Sequence, residues 1–382
     1  MATPTTEPLA DQFIFQTMLT CIGNKRKLTS HIRTIADQVK ETLKKDKISI
    51  LDGFARSTVV SRSLSFIADH LHSNDMELYA HIMAKCYLIT PSQTDQSRIR
   101  AHITAMNALA QSGPYTEGII CKLYAPKDTE NIQEGERCFY TRENALIIDT
   151  LRIYIQNHVE PHLQDYCLAP LLNRASIHTN TAGVFKGFYK DGTKGHFGGK
   201  GENALTRILK PIRVDMPLWN PSPPTNVHCY NKDINTLITE LPSTSQLDLI
   251  YLDPPYNQHP YGSNYFMLNV IATNKEPPAI SKVSGIPTDW NKSSYNKHDS
   301  AINAMKDLLK LGLQKAKYVL LSYNNEGIIT TADWEKLLAP YTTHKYEITY
   351  DTYKGSRNLE HRPNKVMEIM YLITSRTAAT TI

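Results

Sequence analysis

The residues with the clearest chemical potential are Asp253-Pro254-Pro255-Tyr256, which directly follow the apolar run "LDLIYL" (247–252). The run predicts a buried strand, and ligands of open α/β sheets bind outside the carboxyl ends of strands. The prolines fix the backbone, which leaves the Pro254 carbonyl as a free acceptor. That carbonyl and the Asp253 carboxylate can accept both hydrogens of one planar NH2 group, and Tyr256 offers a flat ring for stacking. The four residues predict a clamp for an exocyclic amine on an aromatic ring.

The nitrogen of such an amine is a weak nucleophile because its lone pair is delocalised into the ring. Two acceptors that hold its hydrogens favour a more tetrahedral nitrogen. Positioning that nitrogen against an electrophile then lowers the barrier without an acid or base of unusual pKa. A methyl sulfonium is an electrophile that fits. The alternative is a strand followed by a rigid Pro-Pro turn with no catalytic role.

A second stretch, "ILDGFARST" (50–58), has the outline of a cofactor loop. Asp52 ends the short run "KISILD", and a tight turn of small residues follows. Arg56 and Thr58 stand where a phosphate-cradling loop would need Gly, so the stretch does not predict a pyrophosphate site. Asp75 comes 23 positions after Asp52, at the predicted end of the strand "DHLHSND". At that spacing an acid can reach ribose hydroxyls.

Alternating strands and helices over residues 11–90 predict the opening of a doubly wound α/β sheet. Four further strands are predicted in "VHCYNKD", "LDLIYLD", "AKYVLLSY" and "KVMEIMYLIT". Between them and the first part, polar helices precede a stretch rich in Gly, Lys and aromatic residues (180–207), which we interpret as a long, mobile loop. The sequence therefore predicts three parts: 1–90 as the first part of the catalytic domain, 91–215 as an inserted domain and 216–382 as the second part.

Composition sets broad limits on the kind of protein. The chain has 382 residues, 41% of them hydrophobic, and a net charge of +5, which suits an anionic partner without establishing one. Its apolar runs are shorter than the roughly 20 residues needed to span a bilayer, and the N-terminus lacks the features of a signal peptide. We expect a cytoplasmic protein with no membrane partner. The six cysteines lie far apart without zinc-ligand spacing, so we expect neither a disulfide framework nor a metal site.

With its D-P-P-Y tetrad, the sequence resembles the Dam-like class of DNA adenine-N6 methyltransferases that use S-adenosylmethionine. Cytosine-N4 relatives more often have Ser first in the tetrad, and protein-glutamine relatives have Asn. The extension "NQHPYGSNYFMLNVIA" (257–272) and, more weakly, "FYTREN" and "NTAGVFKGF" resemble one branch of this class. The resemblance covers roughly residues 12–90 and 225–373. It implies a Rossmann-like methyltransferase sheet interrupted by a smaller, mainly helical DNA-recognition insert.

The resemblance also implies an activity: methyl transfer to N6 of an adenine flipped out of double-stranded DNA, by an enzyme that acts alone or beside a cognate restriction endonuclease. Methylation of cytosine N4 or of an RNA base by the same fold is an alternative. A catalytically inactive nucleic-acid-binding relative is another, motivated by Arg56 and Thr58. A dinucleotide oxidoreductase is disfavoured because the loop after the first strand lacks G-x-G-x-x-G.

Site residues follow from the resemblance position by position. The catalytic residues are Asp253, Pro254, Pro255 and Tyr256. The segment "GNKRKL" (23–28) matches a lysine-bearing pattern that lies beside the cofactor, and Asp233 matches an acid that accepts from the cofactor's adenine amino group, although a helix cap would look the same. The full set implied to bind the cofactor is Gly23, Asn24, Lys25, Asp52, Gly53, Phe54, Ala55, Arg56, Asn74, Asp75 and Asp233.

The loop departs from the class pattern D-x-F-x-G-x-G, because Arg56 and Thr58 fill both later Gly positions. S-adenosylmethionine has no phosphate, so the loop can still hold it. We hypothesise that Arg56 pairs with the cofactor carboxylate.

DNA contacts are expected from the Gly-rich stretch 180–207 and from the residues after the tetrad. Basic, aromatic and Gly residues together suit a DNA-facing loop, although a solvated linker would look similar. The expected DNA-binding residues are Lys186, Lys190, Lys194, Lys200, His259, Tyr261, Asn264 and Tyr265. Tyr323, Asn324 and the segment "YKGSRN" (353–358) are candidates for the target-base pocket, with a packed strand end as the alternative.

Overall fold

The computed structural model describes residues 6–16, 18–19, 23, 25–202, 204–242, 246–351 and 365–376. The strands in these ranges are β1 Ile48–Asp52, β2 Ala68–Asn74, β3 Lys190–Asp191, β4 Lys194–Gly195, β5 Asn226–Tyr230, β6 Leu247–Leu252, β7 Ala316–Asn324, β8 Tyr341–Asp351 and β9 Lys365–Ser375.

The helices are α1 Thr6–Phe15, α2 Thr29–Thr42, α3 Val59–Leu64, α4 Leu78–Leu88, α5 Gln93–Ser112, α6 Ile119–Tyr124, α7 Arg142–His158, α8 Gln164–Ile177, α9 Leu205–Leu209, α10 Ile234–Glu240, α11 Tyr261–Asn264, α12 Phe266–Thr273, α13 His298–Lys315 and α14 Thr331–Leu338. Short 3-10 turns lie at Arg26–Leu28, Pro161–Leu163 and Ser294–Asn296. None of the described helices is long and apolar enough to cross a membrane.

Seven strands form one sheet in the order β5-β2-β1-β6-β7-β9-β8. The pairs from β5 to β7 are parallel, and β9 is antiparallel to both β7 and β8. Because β1 lies between β2 and β6, the chain leaves β1 toward one side of the sheet and later returns on the other. The predicted doubly wound sheet is confirmed, and its topological switch point lies at the carboxyl ends of β1 and β6.

Strand β6 is buried along its whole length because helices cover both faces of the sheet. Leu249 and Tyr251 pack in the layer that contains α2 and α3, whereas Ile250 and Leu252 pack in the layer that contains α10, α13 and α14. Alternate side chains of one apolar run thus serve two cores, as expected of a central parallel strand. This packing fixes the position of the tetrad that follows.

Six of the seven strands in this sheet coincide with predicted strands. Strand β8 was missed: "YTTHKYEITYD" alternates polar and apolar residues and forms the edge of the sheet. An edge strand has a neighbouring strand on one side only and exposes more of its side chains to solvent. Its sequence therefore carries a weaker apolar signal than that of the central strand β6.

Between Gln93 and Leu209 the regular secondary structure of the described residues is helical except for the β3–β4 hairpin, with irregular segments between the helices. Most of these helices share the core of the sheet-flanking helices, since Met83 of α4, Leu151 of α7, Leu172 of α8 and Phe266 of α12 belong to one continuous apolar cluster. A small separate cluster contains Ile132, Cys138, Phe197 and Ile208. The division at residues 90 and 215 therefore stays a prediction.

The described residues of the Gly-rich stretch 180–207, all but residue 203, are packed, unlike the mobile loop expected from its composition. The Asn180 amide donates to the carbonyls of Cys138 and His196 and accepts from the Gly198 N–H. Phe185 and Phe197 are buried. The aromatic residues that interleave with the lysines thus point inward, whereas the lysines stay exposed.

Candidate active site

A cleft of about 530 Å³, measured with its open mouth, lies at the carboxyl edge of the sheet. Three acids line it, Asp75 after β2, Glu77 before α4 and Asp233 after β5. The other predicted residues on its wall are Gly53, Phe54, Arg56, Asn74, Pro255 and Tyr261. The structure therefore brings the cofactor candidates and part of the tetrad together at the switch point.

Asp253 lies at the centre of a buried group of four charges. The Lys25 Nζ is 3.0 Å from Asp253 Oδ1 and 2.6 Å from Glu368 Oε1, and the Arg56 Nη1 is 3.2 Å from Asp253 Oδ2. Arg56 Nη2 also donates to the Asp253 carbonyl at 2.9 Å, and Ser322 Oγ donates to Glu368 at 2.5 Å. Two cations and two carboxylates balance one another, which a group of buried charges requires.

The Lys25 ammonium stays charged in this setting. Burial lowers the pKa of Lys25, but the Asp253 and Glu368 carboxylates outweigh burial and hold the pKa above its ordinary value. Removing one member of such a group would leave an uncompensated buried charge, at a cost of about 3–5 kcal/mol of folding free energy.

The loop after β1 keeps a glycine-like backbone without the glycines. Arg56 has φ 45° and Thr58 has φ 63°, both in the left-handed region. A side chain there costs roughly 1–3 kcal/mol, and a β-branched residue such as Thr58 is a genuine outlier. Gly53 is favoured for another reason, since a Cβ there would lie 2.9 Å from Leu252 Cδ2 and would force that side chain to move. The loop therefore has the shape that the class pattern describes.

Two of the predicted cofactor residues have structural partners that explain their identity. Asn74 donates from Nδ2 to the carbonyls of Gly53 and Lys232 and accepts from the Lys232 N–H. Asp233 caps α10 by accepting from the N–H groups of Asn235 and Thr236. Because both residues also line the cleft, the helix-cap and cofactor interpretations of Asp233 are compatible.

Asp52 lies beneath the cleft wall and is fully buried. Its Oδ2 accepts from Ser61 Oγ at 2.5 Å, and its Oδ1 accepts weakly from the Phe54 N–H at 3.4 Å. Burial raises the pKa of Asp52 to about 7. The carboxyl group ties the loop to α3.

The titration of Asp52 gives a test of this packing. The folded protein binds the Asp52 proton more tightly than the unfolded chain does. The contribution of Asp52 to the unfolding free energy is therefore present at low pH and is lost as the pH rises from about 4 to about 7. Asp52→Asn removes this titration. We expect the unfolding free energy of the variant, relative to the natural protein, to rise by about 3 kcal/mol between pH 4.5 and 7.5. Urea unfolding at both pH values measures it, and a parallel dependence of the two proteins would contradict the buried placement.

The segment before the first strand contacts the tetrad. Gly23 has φ 73°, and a Cβ there would lie 3.0 Å from the Tyr256 hydroxyl. The Gly23 carbonyl is 3.5 Å from Arg56 Nη1. Ala55 is buried in the loop, and Pro254 is buried after β6. Asn24 lies outside the described residues.

The residues expected to bind DNA divide into an exposed and a buried set. Lys186, Lys190, Lys194, Lys200 and His259 are exposed. The remaining three are Tyr261, whose ring lies 4.5 Å below the Arg56 guanidinium, Asn264, which is buried, and Tyr265, which is 2% exposed and packs between Tyr79 and Tyr261. Asn264 and Tyr265 offer almost no outward surface, and Tyr261 is half-buried.

Of the residues expected to shape a base pocket, Tyr323 and Asn324 are buried at the end of β7. The Tyr323 hydroxyl accepts from the Ile329 N–H, which fits the alternative of a packed strand end. The segment 353–358 lies outside the described residues.

Sequence reasoning missed Glu77, Ser322 and Glu368. The signal for Glu368 was an acid inside the apolar run "KVMEIMYLIT", which needs a buried cation as its partner. Glu77 gave no separate signal, because it lies two positions after Asp75 and Asp75 alone matched the expected position of an acid at the end of the second strand. Among the described residues, no group of three or more His, Cys, Asp and Glu side chains could hold a metal ion.

The sheet order, the acidic cleft at its switch point and the tetrad beside that cleft define the class of the amino-group methyltransferases. A family model described as D12 class N6 adenine-specific DNA methyltransferase matches residues 22–337, and the chain belongs to this family. It is an adenine-specific DNA methyltransferase, so it acts on DNA and uses a methyl donor.

Similar proteins carry names of the same kind. The type II methyltransferase M.NlaIII of Neisseria lactamica is 27% identical over 363 residues, which cover 92% of this chain and 98% of that one. The modification methylase StsI of Streptococcus sanguinis is 27% identical over 92% of this chain but only 51% of its own length. The type II methyltransferase M.CviAII of Paramecium bursaria Chlorella virus 1 is 28% identical over 84% of this chain and 87% of its own length.

Proposed function

We propose that the enzyme transfers a methyl group from S-adenosylmethionine to N6 of an adenine flipped out of duplex DNA. The observation that carries the proposal is the state of Asp253 Oδ1. This oxygen is buried, lies 3.0 Å from Lys25 Nζ and accepts no hydrogen bond from the described residues. A carboxylate oxygen can accept more than one hydrogen bond, so Oδ1 keeps a lone pair beside the Lys25 ion pair, and an adenine amino group would supply a donor for it.

The cleft fits a cofactor without phosphates. Its wall carries three carboxyl groups, of Asp75, Glu77 and Asp233, against two cations, Arg56 and Lys232, a balance that disfavours pyrophosphate and suits hydroxyl, amine and sulfonium groups. Phe54 and Ile234 form an apolar part of the cleft wall. S-adenosylmethionine supplies an electrophilic methyl group when bound. We assign its binding to the cleft residues and to the adjacent Gly23, Lys25 and Ala55, while Asp52 supports the loop from below.

The tetrad positions the target amine. Arg56 and Lys25 fix the Asp253 carboxylate from two sides, so Oδ1 is held in place before the base arrives. The Pro254 carbonyl is the proposed second acceptor, and Tyr256, which is half-buried, is the proposed stacking surface. Preorganised acceptors of this kind act on the reacting nitrogen without reorganising during the reaction.

A calorimetric titration tests the cofactor assignment. We expect S-adenosylhomocysteine to bind with one molecule per chain and NAD⁺ to show no binding at the same concentration. Binding of NAD⁺, or no binding of S-adenosylhomocysteine, would contradict the assignment.

A flipped adenine requires a surface that grips the flanking phosphates. We propose that Lys186, Lys190, Lys194, Lys200 and His259 contribute to it, because they are exposed on the packed unit that follows α8 and on the segment after the tetrad. We leave Tyr261, Asn264 and Tyr265 out of this surface because their side chains pack against the cleft or the core.

Replacing Lys190, Lys194 and Lys200 together by Ala is expected to weaken DNA binding at 0.1 M salt. The slope of log K against log salt concentration should become shallower by about 0.9 for each lysine that contacts a phosphate. Fluorescence anisotropy over a salt series measures both quantities. A matched triple variant at the exposed Lys306, Lys310 and Lys336 of α13 and α14 should keep the original slope. Equal slopes for the two triple variants would contradict the proposed surface.

The named relatives are type II methyltransferases and modification methylases. On that similarity we propose that the enzyme works in a restriction-modification system, with a cognate endonuclease as its functional counterpart. The cytoplasm is the proposed compartment, on the strength of the DNA substrate.

A further inference from the structure

We propose that Glu77, in place of the expected Asp75, accepts the ribose hydroxyls of the cofactor. The inference rests on the proposed function, because it places a nucleoside in the same cleft. It adds a binding residue that the sequence pattern did not single out.

The Asp75 carboxylate already serves the backbone of the cleft. Its Oδ2 accepts from the Arg56 N–H at 2.8 Å, and its Oδ1 accepts from the Glu77 N–H at 2.9 Å. The first bond holds the strained left-handed residue of the loop, and the second holds the turn before α4. Both oxygens of Asp75 are therefore directed at main-chain donors, and its main role is to shape the cleft.

The Glu77 carboxylate is placed differently. It is 2% exposed and lies on the wall of the cleft. Its Oε2 accepts from Asn269 Nδ2 at 2.6 Å and from Asn291 Nδ2 at 3.3 Å. Both amides use the same oxygen, so the side chain is fixed and Oε1 remains for another donor.

Gly262 keeps the space beside Oε1 open. A Cβ on Gly262 would lie 3.1 Å from Glu77 Oε1 and 2.6 Å from the Asn291 carbonyl. Asn291 in turn donates to the Met76 carbonyl, which fixes it across the cleft. A residue without a side chain thus lets three cleft segments meet around one carboxylate oxygen.

A buried acid without a cation is expensive for the fold, and burial raises the pKa of Glu77 to about 7 with the Asp75 charge acting in the same direction. Glutamine would fill the same volume at a lower cost. An acid here is explained by a ligand with hydroxyl donors, and the vicinal diol of a ribonucleoside presents two.

The test is a calorimetric comparison of S-adenosylhomocysteine with its 2′,3′-dideoxy analogue. We expect the natural protein to prefer the diol ligand by about 10- to 100-fold, the range for hydrogen bonds to a charged group. In Glu77→Gln the preference should shrink to about threefold or less. In the matched variant Asp75→Asn, affinity should fall for both ligands while the preference remains.

A second substitution, Glu77→Asp, keeps the charge and withdraws it by one methylene, and it should also reduce the preference. Thermal unfolding of each variant checks that it is folded. An undiminished diol preference in both Glu77 variants, or its loss in Asp75→Asn alone, would overturn the inference and leave the proposed function intact. Failure of the natural protein to bind S-adenosylhomocysteine would overturn the proposed cofactor and this inference together.

Discussion

Asp253→Asn is expected to lower the rate constant of methyl transfer by about 10²- to 10³-fold, the range for losing one preorganised polar partner. The amide presents a donor or a neutral acceptor where the target amine needs a charged acceptor. It also leaves Lys25 and Arg56 facing a neutral group. Cofactor affinity should change by less than about threefold, because Asp253 is not part of the cleft wall. Initial rates with a labelled methyl donor and calorimetry measure the two effects.

Asp248 supplies the matched control for this substitution. It lies near the start of β6, the strand that Asp253 follows, is similarly buried and pairs with Lys45 at 2.7 Å. Asp248→Asn should cost stability, yet its rate per folded molecule should stay within about twofold of the natural enzyme. A natural rate in Asp253→Asn, or an equal loss in Asp248→Asn, would contradict the role of the tetrad.

Arg56→Ala is expected to lower the saturated rate by about 10- to 100-fold through the position of Asp253. The guanidinium contacts both the carbonyl and the carboxylate of Asp253, so its loss frees the start of the tetrad. A misplaced catalytic group alone can cost about 10²-fold. Arg56→Lys keeps the charge but loses the two-pronged contact, so its rate should lie between the rates of the natural enzyme and of Arg56→Ala. Rates at saturating cofactor and DNA provide the measurement.

Arg56→Gly separates the side chain from the backbone. It removes the same contacts as Arg56→Ala, but glycine adopts a φ of 45° without strain. We expect equal rates for the two variants and a higher melting temperature for Arg56→Gly. The hypothesis that Arg56 pairs with the cofactor carboxylate predicts another pattern: cofactor affinity would fall more than tenfold in both variants while the saturated rate stayed the same. That pattern would refute the positioning role.

The ends of the central strands were the most predictable feature of the molecule. Asp52 ends and Asp253 follows a run whose apolar residues fit the middle of a covered sheet, whereas Asp75 follows the more polar strand β2 and was placed by its spacing from Asp52. Parallel strands bring their carboxyl ends to one edge, so the acids had to converge. The glycine pattern was a poorer guide, since Arg56 and Thr58 adopt the left-handed backbone themselves.

Contacts between distant parts of the chain were beyond sequence reasoning. Lys25 and Glu368 form an ion pair across 343 positions, and Arg56 reaches Asp253 across 197. Composition was also misleading in the stretch 180–207, where Phe185 and Phe197 pack inward although Gly and Lys residues surround them in the sequence. The direction of a side chain depends on the surface it packs against, which one sequence does not show.

The central claim is methyl transfer to adenine N6 with Asp253 as the acceptor. The most direct test incubates the enzyme with labelled S-adenosylmethionine and mixed-sequence duplex DNA, digests the DNA to nucleosides and identifies the labelled product. We expect the label in N6-methyladenine with the natural enzyme and with Asp248→Asn, and a loss of at least about 100-fold with Asp253→Asn. Label in N4-methylcytosine, or N6-methyladenine formed equally well by Asp253→Asn, would contradict the claim.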